Sequence, residues 1–145
     1  MTRLPLDRCK IPAAFWRAVE RVGAAPAGLL RQARLPATLH ISEDAWITTA
    51  QHFQLWRALE ELTGDHAIGL HMTMSADTTV HPPATMAAFF AKDFRDGLNR
   101  LARFKRLCTP EELQVVERNG EAFVSFHWIH ATGPEPDVAA DVTFA

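Results

Sequence analysis

The sequence predicts an α+β fold in which a cluster of helices is followed by a β-hairpin. Two observations carry this. From Pro12 to Cys108, apolar residues recur at helical spacing between recognisable caps and stops. Beyond Pro110 the period falls to two, on either side of an Asn119-Gly120 pair.

Residues 1–11 read as an irregular tail. Pro12 suits the opening of a helix, with Phe15, Val19 and Val22 as its stripe and Gly23 as its stop. Pro26 opens a short helix through Leu29, Leu30 and Ala33 that ends before Pro36. After a polar loop, Thr48 and Gln51 form a capping-box pattern. The helix behind it runs to Thr63 and stops at Gly64. Leu55, Leu59 and Leu62 line one face, widened by His52 and Trp56, so Trp56 is expected in the core. Asp65 can cap a short helix through Ile68, Leu70 and Met72.

The stretch Ser75 to Pro83 reads as loop, closed by a Pro-Pro pair. A short buried helix is expected from Met86 to Ala91, containing Phe89 and Phe90. Asp93 caps the next helix, whose inward stripe is Leu98, Leu101, Phe104 and Cys108. Two strands follow, Leu113 to Arg118 and Ala122 to His130, joined at the Asn-Gly turn. Val124, Phe126 and Trp128 fall on one face of the second strand; Phe123, Ser125 and His127 fall on the other. A last helix is expected from about Asp137. A hairpin of two strands is marginal alone, so further strands are expected beyond the end of the sequence.

The chain has 145 residues, 48% of them hydrophobic and 22% charged, which suits one globular domain with a sizeable core. Its formal net charge of -2 gives no electrostatic footprint for a phosphate backbone, so this segment is not expected to bind DNA. No apolar run is long enough for a membrane span or a secretory signal. Two distant cysteines, Cys9 and Cys108, fit a reducing cytoplasm.

Chemistry has little support. The seven histidines show no metal-ligand spacing: His127 and His130 fall on opposite strand faces, and His66 and His71 are five apart. There is no nucleophile elbow, P-loop or dinucleotide fingerprint, and Cys108 falls on a core stripe. No catalytic residue, metal or cofactor is therefore expected, and the chain is not read as an enzyme. Arg95, Arg100, Arg103, Lys105 and Arg106 make one helix basic. An anion contact is one reading; the stronger is that acids at its start and bases at its end complement the helix dipole.

Three segments carry a resemblance. Leu29 to Pro36 (LLRQARLP) is similar to an "LLRRAGLP" pattern. Leu55 to Asp65 (LWRALEELTGD), followed by Ile68-Gly69-Leu70, matches an LW, Gly-Asp, Gly-Leu order. Asp93 to Leu107 (DFRDGLNRLARFKRL) is similar to "TLGEALRLLARYLRL". In this order they resemble the N-terminal, arabinose-binding-type effector-sensing domain of AraC/XylS-type transcription regulators, over residues 15 to 130. Two positions depart from the pattern. Ala84 to Ala91 replaces a glycine-rich "GLLGYA" stretch, and Asp93 replaces a capping Thr.

The resemblance implies that residues 12–145 are the front of an effector-sensing and dimerisation domain, cut short on its C-terminal side. Its implied partners are a small effector and a second copy, with DNA reached only through a separate C-terminal helix-turn-helix domain that is absent here. The effector is expected among the aromatics where the last helices meet the hairpin, against Phe89, Phe104 and Phe123, with His127 as polar contact. That strand face is chosen because it mixes apolar and polar groups. The alternative is a dimerisation or protein-interaction module without a small-molecule ligand, whose aromatics simply fill the core.

Overall fold

The computed structural model describes residues 6–77, 79, 81 and 83–144. The chain forms two compact units. One is discontinuous, built from Cys9–Asp77 and the segment returning from Ala131. The other is inserted between these segments, ends at His130, and among the described residues also takes in Leu6 to Arg8.

The discontinuous unit opens with β1 (Cys9–Ile11), paired antiparallel with β2 (Ala45–Ile47) in the register Cys9↔Ile47 and Ile11↔Ala45. This corrects the expected irregular tail at residues 9–11; residues 1–5 lie outside the described residues. Cys9 and Ile11 point into the core, while Lys10 points out and donates to the Asp44 carboxylate at 2.9 Å. Strands of three residues give no readable period, and their partner lies far along the chain.

Helix α1 (Ala13–Arg21) begins after extended Pro12 and buries Trp16 and Val19, with Phe15 half-buried beside them. Helix α2 (Pro26–Gln32) buries Leu29 and Leu30 and is followed by a 3-10 turn, Ala37–Ile41. Helix α3 (Thr49–Thr63) carries the full capping box: Gln51 N–H donates to Thr48 Oγ1, and Thr48 N–H donates to Gln51 Oε1. Gly64 closes it at φ 65°. Phe53, Leu55, Trp56, Ala58 and Leu59 are buried, as the apolar stripe requires, but Leu62 in the last turn is 44% exposed. Trp56 meets Phe15 edge-on at 5.4 Å, and its indole N–H donates to His52 Nε2 at 3.2 Å.

Helix α4 (Ile68–Met74) follows a turn in which Ala67 N–H donates to Asp65 Oδ1. Gly69 faces the last helix of the chain so closely that a Cβ there would drive into the Val138 carbonyl. That last helix, Asp137–Phe144, starts where the sequence places it, and it buries Val138 and Ala139 in the same core.

The inserted unit holds α5 (Pro83–Phe89), α6 (Phe94–Cys108), β3 (Glu111–Arg118) and β4 (Glu121–Trp128). The expected buried helix over Met86 to Ala91 is corrected on two counts. It starts three residues earlier, because Pro83 opens it instead of closing a loop. It also buries none of its residues: Phe89 is 68% exposed, and Phe90 just beyond it 75%. Within the expected Ser75–Pro83 loop, residues 78, 80 and 82 lie outside the described residues.

Asp93 caps α6 as expected, accepting from Asp96 N–H at 2.8 Å. Its inward stripe is shallower than expected: Leu98, Leu101 and Phe104 are half-buried, and Cys108 is exposed. The basic character of α6 has a partner besides the dipole. Arg95 donates to Glu117 at 2.7 Å, Lys105 pairs with Glu111 at 3.0 Å, and Arg106 with Glu112 at 3.2 Å. Basic residues at both ends of α6 thus engage the acidic ends of β3.

The hairpin closes through Asn119 (φ 54°) and Gly120 (φ 80°) with Arg118 opposite Glu121. Two consecutive left-handed residues make the turn whose twist suits paired strands. Val124, Phe126 and Trp128 share the covered face, where the Lys105 ammonium lies 4.4 Å from the centre of the Phe126 ring.

Candidate functional site

Of the four residues expected to line a binding site, Phe89 and Phe104 belong to the helices of the inserted unit. Phe89 ends α5, and Phe104 lies one turn beyond Leu101 on α6. Phe123 and His127 lie on the open face of β4, with Phe123 54% exposed. Side chains alternate along a strand, so this face is opposite the one that carries Phe126 beneath Lys105. The structure therefore does not bring the four together on one wall. A strand face mixing Phe, Ser and His reads as a pocket lining, yet the same mixture marks a solvated face.

A groove does exist between α5 and α6, with a volume of about 470 Å³. Thr85, Ala88 and Phe89 line one side; Phe94, Gly97, Leu98 and Leu101 line the other, with Ala91 and Asp93 at the connection. The small side chains of Ala88, Ala91 and Gly97 let the two helices approach: a Cβ at Gly97 would lie 3.6 Å from that of Ala91. His81 packs edge-on against Phe89 at 5.6 Å. Phe94 is a wall residue that the sequence reading did not single out. It directly follows the capping Asp93, and a cap tells where a helix starts but not where its first aromatic points.

The charged groups around the groove are already engaged. The Asp93 carboxylate caps α6. Arg100 pairs with Asp96 at 3.0 Å and donates to the Ala87 carbonyl at 3.2 Å. The Arg100 hydrogen bond, helped by the backbone N–H of Lys92, holds the Asp96 carboxyl below its ordinary range. What remains open to a ligand is alanine, phenylalanine and leucine surface with the Thr85 side chain beside it, which suits binding mainly by apolar contact.

Two histidine–carboxylate pairs lie elsewhere, at the corner between α3 and α4. His66 Nδ1 is 2.6 Å from Glu60, and His71 Nδ1 is 2.6 Å from Asp65. The Glu60 hydrogen bond raises the His66 pKa, while the Ala67 N–H and His71 lower that of Asp65. Each histidine has its own carboxylate, and among the described residues no three His, Cys, Asp or Glu side chains come together as metal ligands. Nor is any helix among them long and apolar enough to cross a membrane.

The family described as the arabinose-binding domain of AraC transcription regulator, N-terminal, matches residues 23–145. No curated protein matches the chain.

Proposed function

The chain belongs to the N-terminal arabinose-binding domain family of AraC transcription regulators, and on that footing we propose that it senses a small effector in the cytoplasm and pairs with a second copy. The family is a regulatory one. DNA would be read by a separate C-terminal domain, and the present segment would act on it through its own change of state. An effector does this only if it binds one arrangement of the domain better than another.

The observation that carries an effector site is the α5–α6 groove. Its walls are apolar, its neighbouring charges are paired, and its volume fits a small molecule. The proposed site keeps Phe89 and extends toward Phe104, with Phe94 and Leu98 added. Phe123 and His127, on the open hairpin face, stand outside it. The ligand class is a small, partly apolar molecule.

NMR titration of the 145-residue chain with phenol, indole and octanoate tests this. The expected result is a saturable shift confined to amides of residues 83–104 for at least one probe, weakened in Phe94→Ser. The rival reading, an interaction module without a ligand, draws on the exposure of Phe89, Phe90 and Phe94. It predicts that the same amides move on dilution, with a monomer–dimer transition in sedimentation, and ignore all three probes. That outcome would replace the effector site by a dimer face.

A further inference from the structure

The discontinuous unit contains a second groove, of about 420 Å³, with the opposite chemistry. One wall is a stripe of α3: Ala50, Gln54, Arg57 and Glu61. The other is the C-terminal end of α2, with Gln32 and Arg34. Two guanidiniums and two amides face one concave surface, and a single carboxylate, Glu61, is already bonded to Gln32 Nε2 at 2.9 Å.

The position of Arg34 is unusual on internal comparison. Helices α1 and α2 end in the same hydrogen-bonded turn. In α1, Gly23 N–H bonds the Glu20 carbonyl and Ala24 N–H the Val19 carbonyl. In α2, Arg34 N–H bonds the Arg31 carbonyl and Leu35 N–H the Leu30 carbonyl. This turn needs a left-handed residue after the cap, which is why glycine dominates there. Gly23 (φ 83°) fills it after α1, and Gly64 (φ 65°) takes the left-handed position after α3, but Arg34 (φ 53°) fills it after α2. An arginine here is strained for no gain in packing, since Arg34 is exposed. Its guanidinium has no hydrogen bond or ion pair among the described residues, so folding does not use it.

Arg57, across the groove, is held in place. One Nη donates to the Pro134 carbonyl at 2.9 Å, and the guanidinium lies 5.9 Å from the centre of the Phe53 ring. Its other N–H groups remain available, as do both ends of the Gln54 amide. Guanidinium forks match carboxylate and phosphate oxygens. The carbonyl oxygens of Gln32 and Gln54 accept from hydroxyl groups. The formal charge of Arg34, Arg57 and Glu61 together is that of one cation, which suits a monoanion.

We infer that this groove binds a small hydroxylated monocarboxylate, gripped between Arg34 and Arg57 with its hydroxyls on Gln32 and Gln54. The site is separate from the apolar α5–α6 groove, and neither depends on the other.

The test is an NMR titration of the 145-residue chain at constant ionic strength with gluconate, inorganic phosphate and arabinose. Gluconate should give saturable shifts in amides of residues 32–35 and 54–58, phosphate weaker ones, and neutral arabinose none. Arg34→Gly is the decisive variant, because relief of the left-handed strain should raise its melting temperature while its gluconate affinity falls by about tenfold. Arg57→Gln should lose a similar factor. Arg34→Gly with a raised melting temperature and unchanged gluconate affinity would overturn the site, as would the absence of saturable shifts at these amides. Phosphate binding without gluconate binding would overturn the carboxylate assignment.

Discussion

Trp56 and Phe89 are both aromatic residues on helices, and they stand in opposite surroundings. Trp56 is 5% exposed, packed edge-on against Phe15 and bonded to His52. Phe89 is 68% exposed at the end of a helix that buries nothing. The contrast runs through the whole molecule. The discontinuous unit holds its helices around buried Leu29, Leu30, Leu55, Leu59 and Val138. In the inserted unit only Trp128 and Pro110 among the described apolar side chains are buried, and α6 is tied to β3 by ion pairs. Apolar surface therefore builds a core in one unit, where Ile41 and Met74 nonetheless stay exposed, while in the other most of the aromatics of α5 and the start of α6 are left on display. Displayed aromatics on a supported frame are available for recognition.

The largest expected effect tests the contrast directly. Trp56→Ala should destabilise the discontinuous unit by about 3–5 kcal/mol, because it empties a packed site. Phe89→Ser should change stability by less than about 0.5 kcal/mol, as an exposed position does. Urea unfolding followed by hydrogen exchange at α3 amides and at hairpin amides reads each unit by itself. Equal losses for the two variants would break the contrast.

A second effect separates the units by what holds them. Glu111 is 1% exposed, and its partner Lys105 is 27% exposed. Thr109 also donates to Glu111, at 3.3 Å. Lys105→Met would leave a buried carboxylate without its cation and remove the ammonium from above Phe126. The expected cost is about 3 kcal/mol, the low end for breaking a buried pair because Lys105 keeps some contact with water. It should appear as faster exchange at the amides of β3 and β4, with the α3 amides unchanged. Loss of protection in α3 instead would show that the units do not hold together independently.

What the sequence reveals divides along the same line. The Thr48–Gln51 capping box, the Asp93 cap and the Asn119-Gly120 turn are set by neighbours within three or four residues, and all stand where the sequence puts them. The β1–β2 ribbon joins residues with the separation of Lys10 and Asp44, and no local pattern announces it. Periodicity also names a helix face without saying whether anything covers it. Leu59 and Leu62 sit on one predicted stripe, yet the first is 0% exposed and the second 44%. The same ambiguity governs the binding residues. Alternation separates Phe123 and His127 from Phe126 and Trp128, but it does not say which pair faces α6. The groove between α5 and α6 was legible only in part, through Phe89, since its other walls come from small residues whose packing depends on the approach of two helices. Arg34 was less legible still: its identity is printed in the sequence, but its left-handed backbone is not.

The smallest effect concerns an ion pair in the unit that does not need one. His66 and Glu60 meet at 2.6 Å, but the histidine side chain is 92% exposed, so water screens the pair and it contributes little. The Glu60 hydrogen bond, followed by the charge of Glu60, raises the His66 pKa above its ordinary 6.5 in the folded state. A raised pKa means that the folded chain holds the proton more tightly than the unfolded one. The stabilisation is then fully present below 6.5 and fades as the pH rises through the folded value. Asp65 beside it works with the opposite sign: its lowered pKa stabilises above 3.8 and is lost only in acid. The two windows do not overlap, so a titration near neutrality isolates the histidine. The difference in urea midpoint between the natural chain and His66→Gln should be small below 6.5 and should shrink toward zero on the alkaline side. The hairpin exchange rates should ignore the substitution throughout. A difference that grew with pH would mean that His66 is held neutral and that Glu60 is not its controlling neighbour. A difference as large as that for Lys105→Met would remove the distinction between a unit held by apolar burial and one held by charge.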